Sequence, residues 1–374
     1  MLRVRIAGVD VEFASDWPRL DEYAEVHLRQ AGGACEGPVR VSARLRWHEG
    51  QPPSDLRATY PELRGCERWD RDLYSGKGRA YWFRVDDLRD LHLVFDWDGS
   101  TIELRGDYYH RLSKVAWKDR LRRLWNLRDL ERRRRRRFTT LLYYLVFYPV
   151  FWTLEHEGTA HPVHAAAVDV GGRTLLLAGP SGVGKSTLCV ALVSELGGRF
   201  LGDTFVLTDG RSVLAVPEPV LLDGWSQRWL GERLGLLERV PSHAYVLGRD
   251  GFLFPSRALT GGGKAAALVF PRRAPERFVR PVSSREAASR IFASNDLVND
   301  LRRYRAFAAV LELLEPSAIE QGRLAAVERL VRDVPTYEVG LTPQVSPADA
   351  AELLGNLLAG NDELETGRSR SAGS

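Results

Sequence analysis

Residues 174–196 read TLLLAGPSGVGKSTLCVALVSEL, and the chain is organised around them. An apolar run leads into the pattern G-x-x-x-x-G-K-[ST], and apolar residues at helical spacing follow it. This is the strand, loop and helix order of a phosphate-binding loop, in which backbone N–H groups and the helix N-terminus face phosphate oxygens. The sequence therefore predicts that the chain binds a nucleoside triphosphate.

The expected nucleotide contacts are the residues of this loop, Gly179, Pro180, Ser181, Gly182, Val183, Gly184, Lys185, Ser186 and Thr187. Lys185 is expected to reach the β- and γ-phosphates, and the Ser186 hydroxyl is expected to ligate Mg²⁺. An ordinary glycine-rich turn between a strand and a helix is the alternative. The Lys-Ser-Thr triplet, with a strand before it and a helix after it, favours the phosphate site.

The composition of the chain is that of a soluble globular protein large enough for two domains. Of its 374 residues, 44% are hydrophobic and 27% are charged. Cys35, Cys66 and Cys189 are widely spaced and form no C-x-x-C pair, which argues against a zinc site or a disulfide framework. The first residues alternate like a strand and have no continuous apolar core typical of a signal peptide. These features predict a cytoplasmic protein.

Positive charge is concentrated in one segment, residues 111–137. It holds thirteen Lys or Arg against three Asp or Glu, although the net charge of the whole chain is only +4. The segment ends in six consecutive arginines, Arg132 to Arg137, and is predicted to be a partly amphipathic helix. A solvated connector is one interpretation; a docking site for an acidic protein or peptide, an anionic membrane surface or nucleic acid are the others.

The stretch that follows, residues 138–154, carries no charge and reads FTTLLYYLVFYPVFWTL. It is short for a membrane span, contains Pro149 and is rich in aromatic residues. We therefore expect a helix buried against the domain that holds the phosphate loop.

Residues 1–110 are predicted to form a β-rich α+β domain. Alternating patterns predict strands over 2–13, with a turn at Gly8, and over 39–47. A short helix capped by Ser15 or Asp16 is expected between them. Three further strands between residues 80 and 105 are expected to form a meander, with a hairpin turn at Asp98 and Gly99.

Beyond residue 158 the pattern alternates between short strands and helices. Strands are predicted at 161–170, 173–178, 199–207, 213–216, 265–270 and 336–339. Helices are predicted at 226–237, 284–292, 297–314 and 347–358. The tail, residues 359–374, has the composition of a disordered segment.

Three motifs around the loop together resemble a known family. They are His164-Ala-Ala-Ala-Val, the phosphate loop itself, and Arg199-Phe-Leu-Gly-Asp203. This arrangement resembles the catalytic domain of HPr kinase/phosphorylase and of related kinases found beside peptide-modification genes. The resemblance is specific over 161–207 and extends to about residue 358. It implies an α/β fold, with a P-loop domain of the HPr-kinase type (PEP-carboxykinase-like) at 159–358, behind the β-rich domain and a helical connector at 111–158.

The resemblance also implies an activity and roles for single residues. It implies ATP- and Mg²⁺-dependent phosphorylation of a hydroxyl, that of serine, on a protein or peptide acceptor. His164 stands where the family has a histidine near the phosphates, and Asp203 matches the first acid of the family's acidic pair, as a base or a metal ligand. Because members form hexamers with their partner, a homo-oligomer is a further expectation.

The sequence departs from the family pattern at two places. Thr204 stands where the family has its second acid, and the Glu-Ile-Arg-Gly signature is absent, with Pro219-Val-Leu-Leu-Asp223 in that region. With one acid, Asp203 must serve as base or hold the metal, while a protonated His164 could share the charge work. Two alternatives stay open: a non-catalytic ATP-binding switch that engages a partner through its basic segment, and a small-molecule kinase.

Overall fold

The computed structural model describes residues 1–360 except 32, 34, 36, 86, 87, 114, 116, 120–126 and 241–247. Contacts divide these residues into two compact units. Unit 1 consists of residues 1–157 and 302–318, and unit 2 of residues 158–240, 248–301 and 319–360. The predicted α/β class is confirmed. Most of the predicted tail and part of the predicted basic helix lie outside the described residues.

The α-helices of the described chain are numbered here in chain order. They are α1 (Pro18–His27), α2 (Leu56–Thr59), α3 (Leu127–Leu142), α4 (Tyr148–His156), α5 (Lys185–Leu196), α6 (Gly224–Leu230), α7 (Ser284–Leu297), α8 (Asn299–Glu312), α9 (Ile319–Asp333) and α10 (Pro347–Ala359). A π-helix, Tyr143–Phe147, joins α3 to α4. Short 3₁₀ turns lie at Arg29–Ala31, Pro61–Gly65, Gly231–Leu236 and Ser256–Ala258.

The strands are also numbered in chain order. Those of unit 1 are β1 (Leu2–Ile6), β2 (Val9–Ser15), β3 (Val41–Glu49), β4 (Glu67–Asp70), β5 (Leu73–Gly76), β6 (Arg79–Trp82), β7 (Leu91–Trp97) and β8 (Ile102–His110). Those of unit 2 are β9 (His161–Val163), β10 (Ala165–Val170), β11 (Arg173–Ala178), β12 (Arg199–Gly202), β13 (Val206–Thr208), β14 (Ser212–Leu214), β15 (Val220–Asp223), β16 (Glu238–Val240), β17 (Arg249–Leu253), β18 (Gly262–Arg273), β19 (Phe278–Pro281) and β20 (Thr336–Leu341).

Unit 1 is built on one sheet with the strand order β1-β2-β3-β8-β7-β6-β5-β4. The predicted hairpin turn at Gly8 is confirmed, and so is the turn between β7 and β8, where the Asp98 carboxylate accepts hydrogen bonds from the N–H groups of Ser100 and Thr101. The predicted cap of α1 is wrong, because the N-cap is Trp17. Asp16 instead accepts a hydrogen bond from the backbone N–H of Trp47, at 2.7 Å.

The uncharged stretch 138–154 is helical and buried, as predicted, and it belongs to unit 1. The π-helix packs on β2 and β3. A Cβ atom on Gly106 of β8 would come within 2.8 Å of Leu45 and 3.3 Å of Leu145, so the missing side chain permits this close approach. In the described part of the chain, no helix has the length and apolar character needed to cross a membrane.

A later segment of the chain, residues 302–318, completes the core of unit 1. The ring of Phe307 lies 5.3 Å from that of Phe95, and the ring of Tyr304 lies 5.6 Å from that of Tyr148. The Tyr304 hydroxyl donates a hydrogen bond to the buried Glu155 carboxylate. Residues 302–318, which the sequence pattern assigns to the phosphate-loop domain, therefore belong to unit 1.

Ionic contacts hold two side chains of unit 1, Asp107 and Arg134, in place. The buried Asp107 carboxylate accepts hydrogen bonds from Arg46 and His48, each at 2.8 Å. Within the arginine run, half-buried Arg134 lies 2.8 Å from a Glu49 oxygen, and its guanidinium lies 5.0 Å from the centre of the Trp17 ring. Arg134 is therefore a structural residue, whereas Arg133 and Arg135 to Arg137 are exposed.

Unit 2 contains a larger mixed sheet that is covered by helices on both faces. Its strand order is β12-β10-β11-β18-β14-β13-β9, and β20 pairs with β18. Successive residues of β11 point to opposite faces: Leu175 and Leu177 pack with α5 and α10, whereas Leu176 packs with α7 and α9. The three strands β11, β18 and β20 run parallel, so their carboxyl ends lie at one edge of the sheet.

Unit 2 differs from the sequence-based prediction in several respects. The helix expected over 226–237 ends at Leu230 and continues as a 3₁₀ turn, and the strand expected over 161–170 is broken at His164. The strand expected over 199–207 is divided into β12 and β13, and Asp203 stands at the break. Helix α9 was not predicted, although Leu330 on it is fully buried. A small separate sheet, β15-β17-β16, was also not predicted.

Candidate nucleotide-binding site

The predicted phosphate loop connects β11 to α5, as the sequence pattern requires. Gly182 and Gly184 have φ values of +88° and +100°, a left-handed conformation that side-chain-bearing residues rarely adopt. Gly184 is the N-cap of α5, and no side chain in the described part of the chain caps this helix start. The N–H groups of the first helical turn, together with the positive end of the helix dipole, therefore form an anion-binding surface.

The ammonium group of Lys185 is held inside its own loop. Its Nζ donates hydrogen bonds to the carbonyl oxygens of Gly179, at 2.7 Å, and Pro180, at 3.1 Å, and lies 3.1 Å from Nε2 of His164. These three partners match the three N–H donors of an ammonium group. Burial lowers the pKa of Lys185. To bind a phosphate, Lys185 must exchange at least one of these partners.

His164, at the bend between β9 and β10, is the side chain that orients Lys185. Its Nδ1 lies 2.8 Å from the carbonyl oxygen of Thr204, which can only accept, so Nδ1 carries the proton and Nε2 accepts from Lys185. Burial, with the nearby Lys185 charge, lowers the pKa of His164 to about 3. This low pKa favours a neutral imidazole at pH 7 and argues against the expected contribution of a protonated His164.

Asp203 meets Ser186 at the start of α5. Its Oδ2 accepts a hydrogen bond from Ser186 Oγ at 2.7 Å, whereas its Oδ1 is shut off from solvent and has no hydrogen-bond partner among the described residues. Burial raises the pKa of Asp203, although the bond from Ser186 and the charge of Lys185 oppose the shift. An unpartnered carboxylate oxygen is costly in a protein interior, and a bound cation would supply the partner that it lacks.

The donor atoms of Ser186 and Asp203 fit Mg²⁺. Mg²⁺ prefers oxygen ligands, and in nucleotide sites it is held by one or two protein groups, with phosphate and water oxygens in the remaining positions. Among the described residues, no group of three or more His, Cys, Asp or Glu side chains could hold a metal ion. The two residues therefore fit a metal that arrives with a nucleotide better than a permanent structural metal.

Other residues near the motif have structural partners. The Asp223 carboxylate caps α6 by accepting a hydrogen bond from the N–H of Ser226, at 2.7 Å, and the Thr187 hydroxyl donates to Ser226 Oγ at 2.9 Å. The ring of His161 lies so close to Gly322 of α9 that a Cβ atom there would be 2.5 Å from its Cε1. Asp223 and His161 therefore serve capping and helix packing.

Beside the loop lies a cavity of about 130 Å³ that the sequence patterns did not predict. Its walls come from the loop and α5, from α6, from the end of β18 and from the end of β20. The lining residues are Val183, Gly184, Thr187, Leu188, Trp225, Trp229, Arg272, Arg273, Leu341, Thr342, Pro343 and Val345. The sequence contained the two tryptophans of α6 and the two arginines that end β18, but these residues are far apart in the chain. Their grouping could be recognised only from the strand order.

Neither a known protein family nor any curated protein matches the chain. Its function is therefore inferred from the side chains themselves. The structure brings together two pairs that the sequence proposed as site residues, Lys185 with His164 and Ser186 with Asp203. Both pairs include the first residues of α5, which begins directly after the loop.

Proposed function

We propose that the chain is an ATP- and Mg²⁺-dependent phosphotransferase with an HPr-kinase-type domain, which phosphorylates a hydroxyl of a protein or peptide. The observation that carries this proposal is the contact between Ser186 and the half-buried carboxylate of Asp203, directly beside Lys185 in a phosphate-loop geometry. Serine as the acceptor, and a homo-oligomeric assembly, come from the family resemblance alone.

Phosphate binding would use the uncapped start of α5 and Lys185. The backbone N–H groups supply several donors in fixed positions, and the ammonium group supplies a full positive charge. Neutral His164 has a positioning role: its Nε2 accepts from Lys185, while its Nδ1–H is anchored on Thr204. This arrangement limits the rotamers of Lys185 and keeps the ammonium group near the loop.

Ser186 and Asp203 would hold Mg²⁺ through the hydroxyl and the carboxylate. A bound Mg²⁺ would supply positive charge that offsets the negative charge developing on the phosphates during transfer. The unpartnered Oδ1 of Asp203 would then gain the partner that the described residues do not supply.

In the transfer step, the acceptor oxygen forms a bond to the γ-phosphorus and the bond to the β–γ bridging oxygen breaks, releasing ADP. The proton of the acceptor hydroxyl needs a base, and Asp203 is the candidate, since a raised pKa makes a carboxylate a better proton acceptor. Whether Asp203 acts as base or as metal ligand gives two different expectations for the Asp203→Asn variant.

A second candidate function is an ATP-binding switch that transfers nothing. The observation that favours it is Thr204, which stands in place of a second acid and contributes its backbone carbonyl to His164. In this case the site binds Mg²⁺ and ATP, and no acceptor is phosphorylated.

The test measures ATP affinity by calorimetry, with and without Mg²⁺, and ADP formation in the presence of serine-containing peptides. We expect Lys185→Ala to weaken ATP binding and abolish transfer, and Ser186→Ala to increase the Mg²⁺ requirement. Lys264→Ala removes an exposed lysine of unit 2 and is the matched control, with no effect expected. Unchanged ATP affinity in the Lys185→Ala variant would refute the phosphate site.

Asp203→Asn separates the two candidate functions and the two roles of the carboxylate. If Asp203 is the base, the variant should retain ATP binding and lose about 10²–10⁴-fold in transfer rate. If Asp203 holds the metal, the Mg²⁺ requirement should also rise. ATP binding by the wild type without any ADP formation, across the peptides tested, would favour the switch.

A further inference from the structure

The cavity beside the phosphate loop lies at the carboxyl ends of three parallel strands. The loop follows β11, Arg272 and Arg273 end β18, and Leu341 ends β20. In sheets with parallel strands, ligands bind outside this edge, because the loops that leave it can diverge and form a crevice. The position of the cavity is therefore that of a ligand site.

The walls of the cavity suit a flat aromatic ligand. The rings of Trp225 and Trp229 are stacked, with centres 6.1 Å apart and planes 15° apart. Trp229 is fixed by a hydrogen bond of 2.8 Å from its Nε1 to the Val345 carbonyl oxygen, whereas Trp225 is 40% exposed. A cavity of about 150 Å³ holds a benzene ring, so the volume here, about 130 Å³, suits a single ring of a base, and the second ring of a purine would lie outside it.

Two arginines stand at the rim of this apolar space. The guanidinium of Arg273 lies 5.0 Å from the centre of the Trp225 ring, and no ion pair of Arg273 is found in the described part of the chain. Guanidinium groups carry donors and no acceptor. The cavity therefore combines a stacking surface with donors for the acceptor atoms on the edge of a ring.

The cavity is continuous with the phosphate loop. Val183, Gly184 and Thr187 belong to the loop and also line the cavity. A nucleotide whose phosphates lie on the start of α5 carries its base at the other end of a short ribose linker, within reach of this space.

We propose that this cavity binds the base of the nucleotide, stacked on Trp225 and hydrogen-bonded along its edge by Arg273. The proposal rests on the proposed function, because it requires phosphates on the loop. It adds a nucleobase site made by α6 and by the ends of β18 and β20, none of which belongs to the phosphate-loop motif.

The test compares ATP with inorganic tripolyphosphate, which has the phosphates and lacks the base. Affinities of both are measured by calorimetry with Mg²⁺ for the wild type and for Trp225→Ala, Trp225→Phe and Trp117→Ala. Trp117, 60% exposed and in unit 1, is the matched control. Loss of stacking on one aromatic ring should lower ATP affinity by about 5- to 150-fold in Trp225→Ala. Tripolyphosphate affinity should not change, and Trp225→Phe should retain most of the ATP affinity.

Unchanged tripolyphosphate binding also reports that the Trp225→Ala variant is folded around the loop. Arg273→Gln is a second variant, expected to lower ATP affinity several-fold without affecting tripolyphosphate. If Trp225→Ala leaves ATP affinity unchanged, or lowers both affinities equally, the base site is refuted. If the wild type does not bind tripolyphosphate, the phosphate site, and with it the proposed function, is refuted instead.

Discussion

Replacing Asp203 with Asn should make unit 2 more stable while removing its proposed activity. One carboxylate oxygen of Asp203 accepts from Ser186, and the other is shut off from solvent without a partner among the described residues. Because the pKa of Asp203 is raised in the folded chain, ionisation favours the unfolded state. The destabilisation appears as the pH rises above the ordinary carboxyl pKa of 3.8, and it is complete at pH values above the raised pKa.

The magnitude follows from the charge on the one unpaired oxygen, because Asn keeps a polar atom at that position and removes only the charge. An unsatisfied buried polar group costs about 1–3 kcal/mol, and more when it is charged, so the recovered charge penalty lies within that range. Because Asp203 as a whole is half-buried, we take the lower part of that range, about 1–2 kcal/mol. For a unit of this size, about 2–4 °C of melting temperature corresponds to 1 kcal/mol. Asp203→Asn should therefore melt about 2–8 °C higher than the wild type.

The assay is thermal unfolding at pH 7 with a chelator present, repeated with Mg²⁺ and ATP. Asp169→Asn is the matched control in the same unit: its buried carboxylate is paired with Arg199, at 3.0 Å, so this variant should melt lower. Mg²⁺ with ATP should raise the melting temperature of the wild type more than that of Asp203→Asn. If Asp203→Asn melts at or below the wild-type temperature in the chelator, the electrostatic reasoning about this carboxylate is wrong.

Four further predictions concern single side chains or one pair of them. His164→Gln should leave the shape of the pH–rate profile between about pH 6 and 8 unchanged, because the pKa of His164, about 3, is far below that range. Burial raises the pKa of Asp107, but hydrogen bonds from its partners outweigh burial and hold this pKa below 3.8. The stability that Asp107 confers should therefore be present at neutral pH and lost below about pH 4. Urea unfolding of the wild type and of Asp107→Asn at several pH values would show this loss. Arg134→Gln should destabilise unit 1 by about 0.5–2 kcal/mol through its lost contact with an indole ring. Replacing the exposed Arg136 and Arg137 with Gln should leave stability unchanged and weaken binding of an acidic peptide at low salt only; equal binding at all salt concentrations would refute a docking role.

Much of the fold could be predicted, because local patterns decide it. Alternation predicted β3 and the hairpins at Gly8 and Asp98, and the loop motif predicted the connection of β11 to α5. The cap of α1 could not be predicted, because Asp16 bonds to Trp47, a partner 31 residues away in the sequence. A side chain can accept hydrogen bonds from distant backbone groups as well as from neighbouring ones. Only the folded structure shows which hydrogen bond forms.

The candidate site was predictable in its residues and less so in its chemistry. The motif and the resemblance named Lys185, His164, Ser186 and Asp203, and the structure places them in contact as two pairs. The neutral state of His164 depends on the burial of its ring, and a sequence motif gives no information on burial. The cavity at Trp225 depends on strand order, because its walls come from segments more than a hundred residues apart.

Because residues 302–318 belong to unit 1, this unit cannot fold completely during the early part of its synthesis. A ribosome delivers residues 1–157 first, but the partners of Phe95, Tyr148 and Glu155 on α8 emerge only after most of unit 2 has been synthesised. Domains that are synthesised first usually fold first. Unit 1, however, cannot complete its aromatic core until residues 302–318 have been synthesised. A fragment ending near residue 157 should therefore aggregate, whereas adding residues 302–318 as a separate peptide should rescue it.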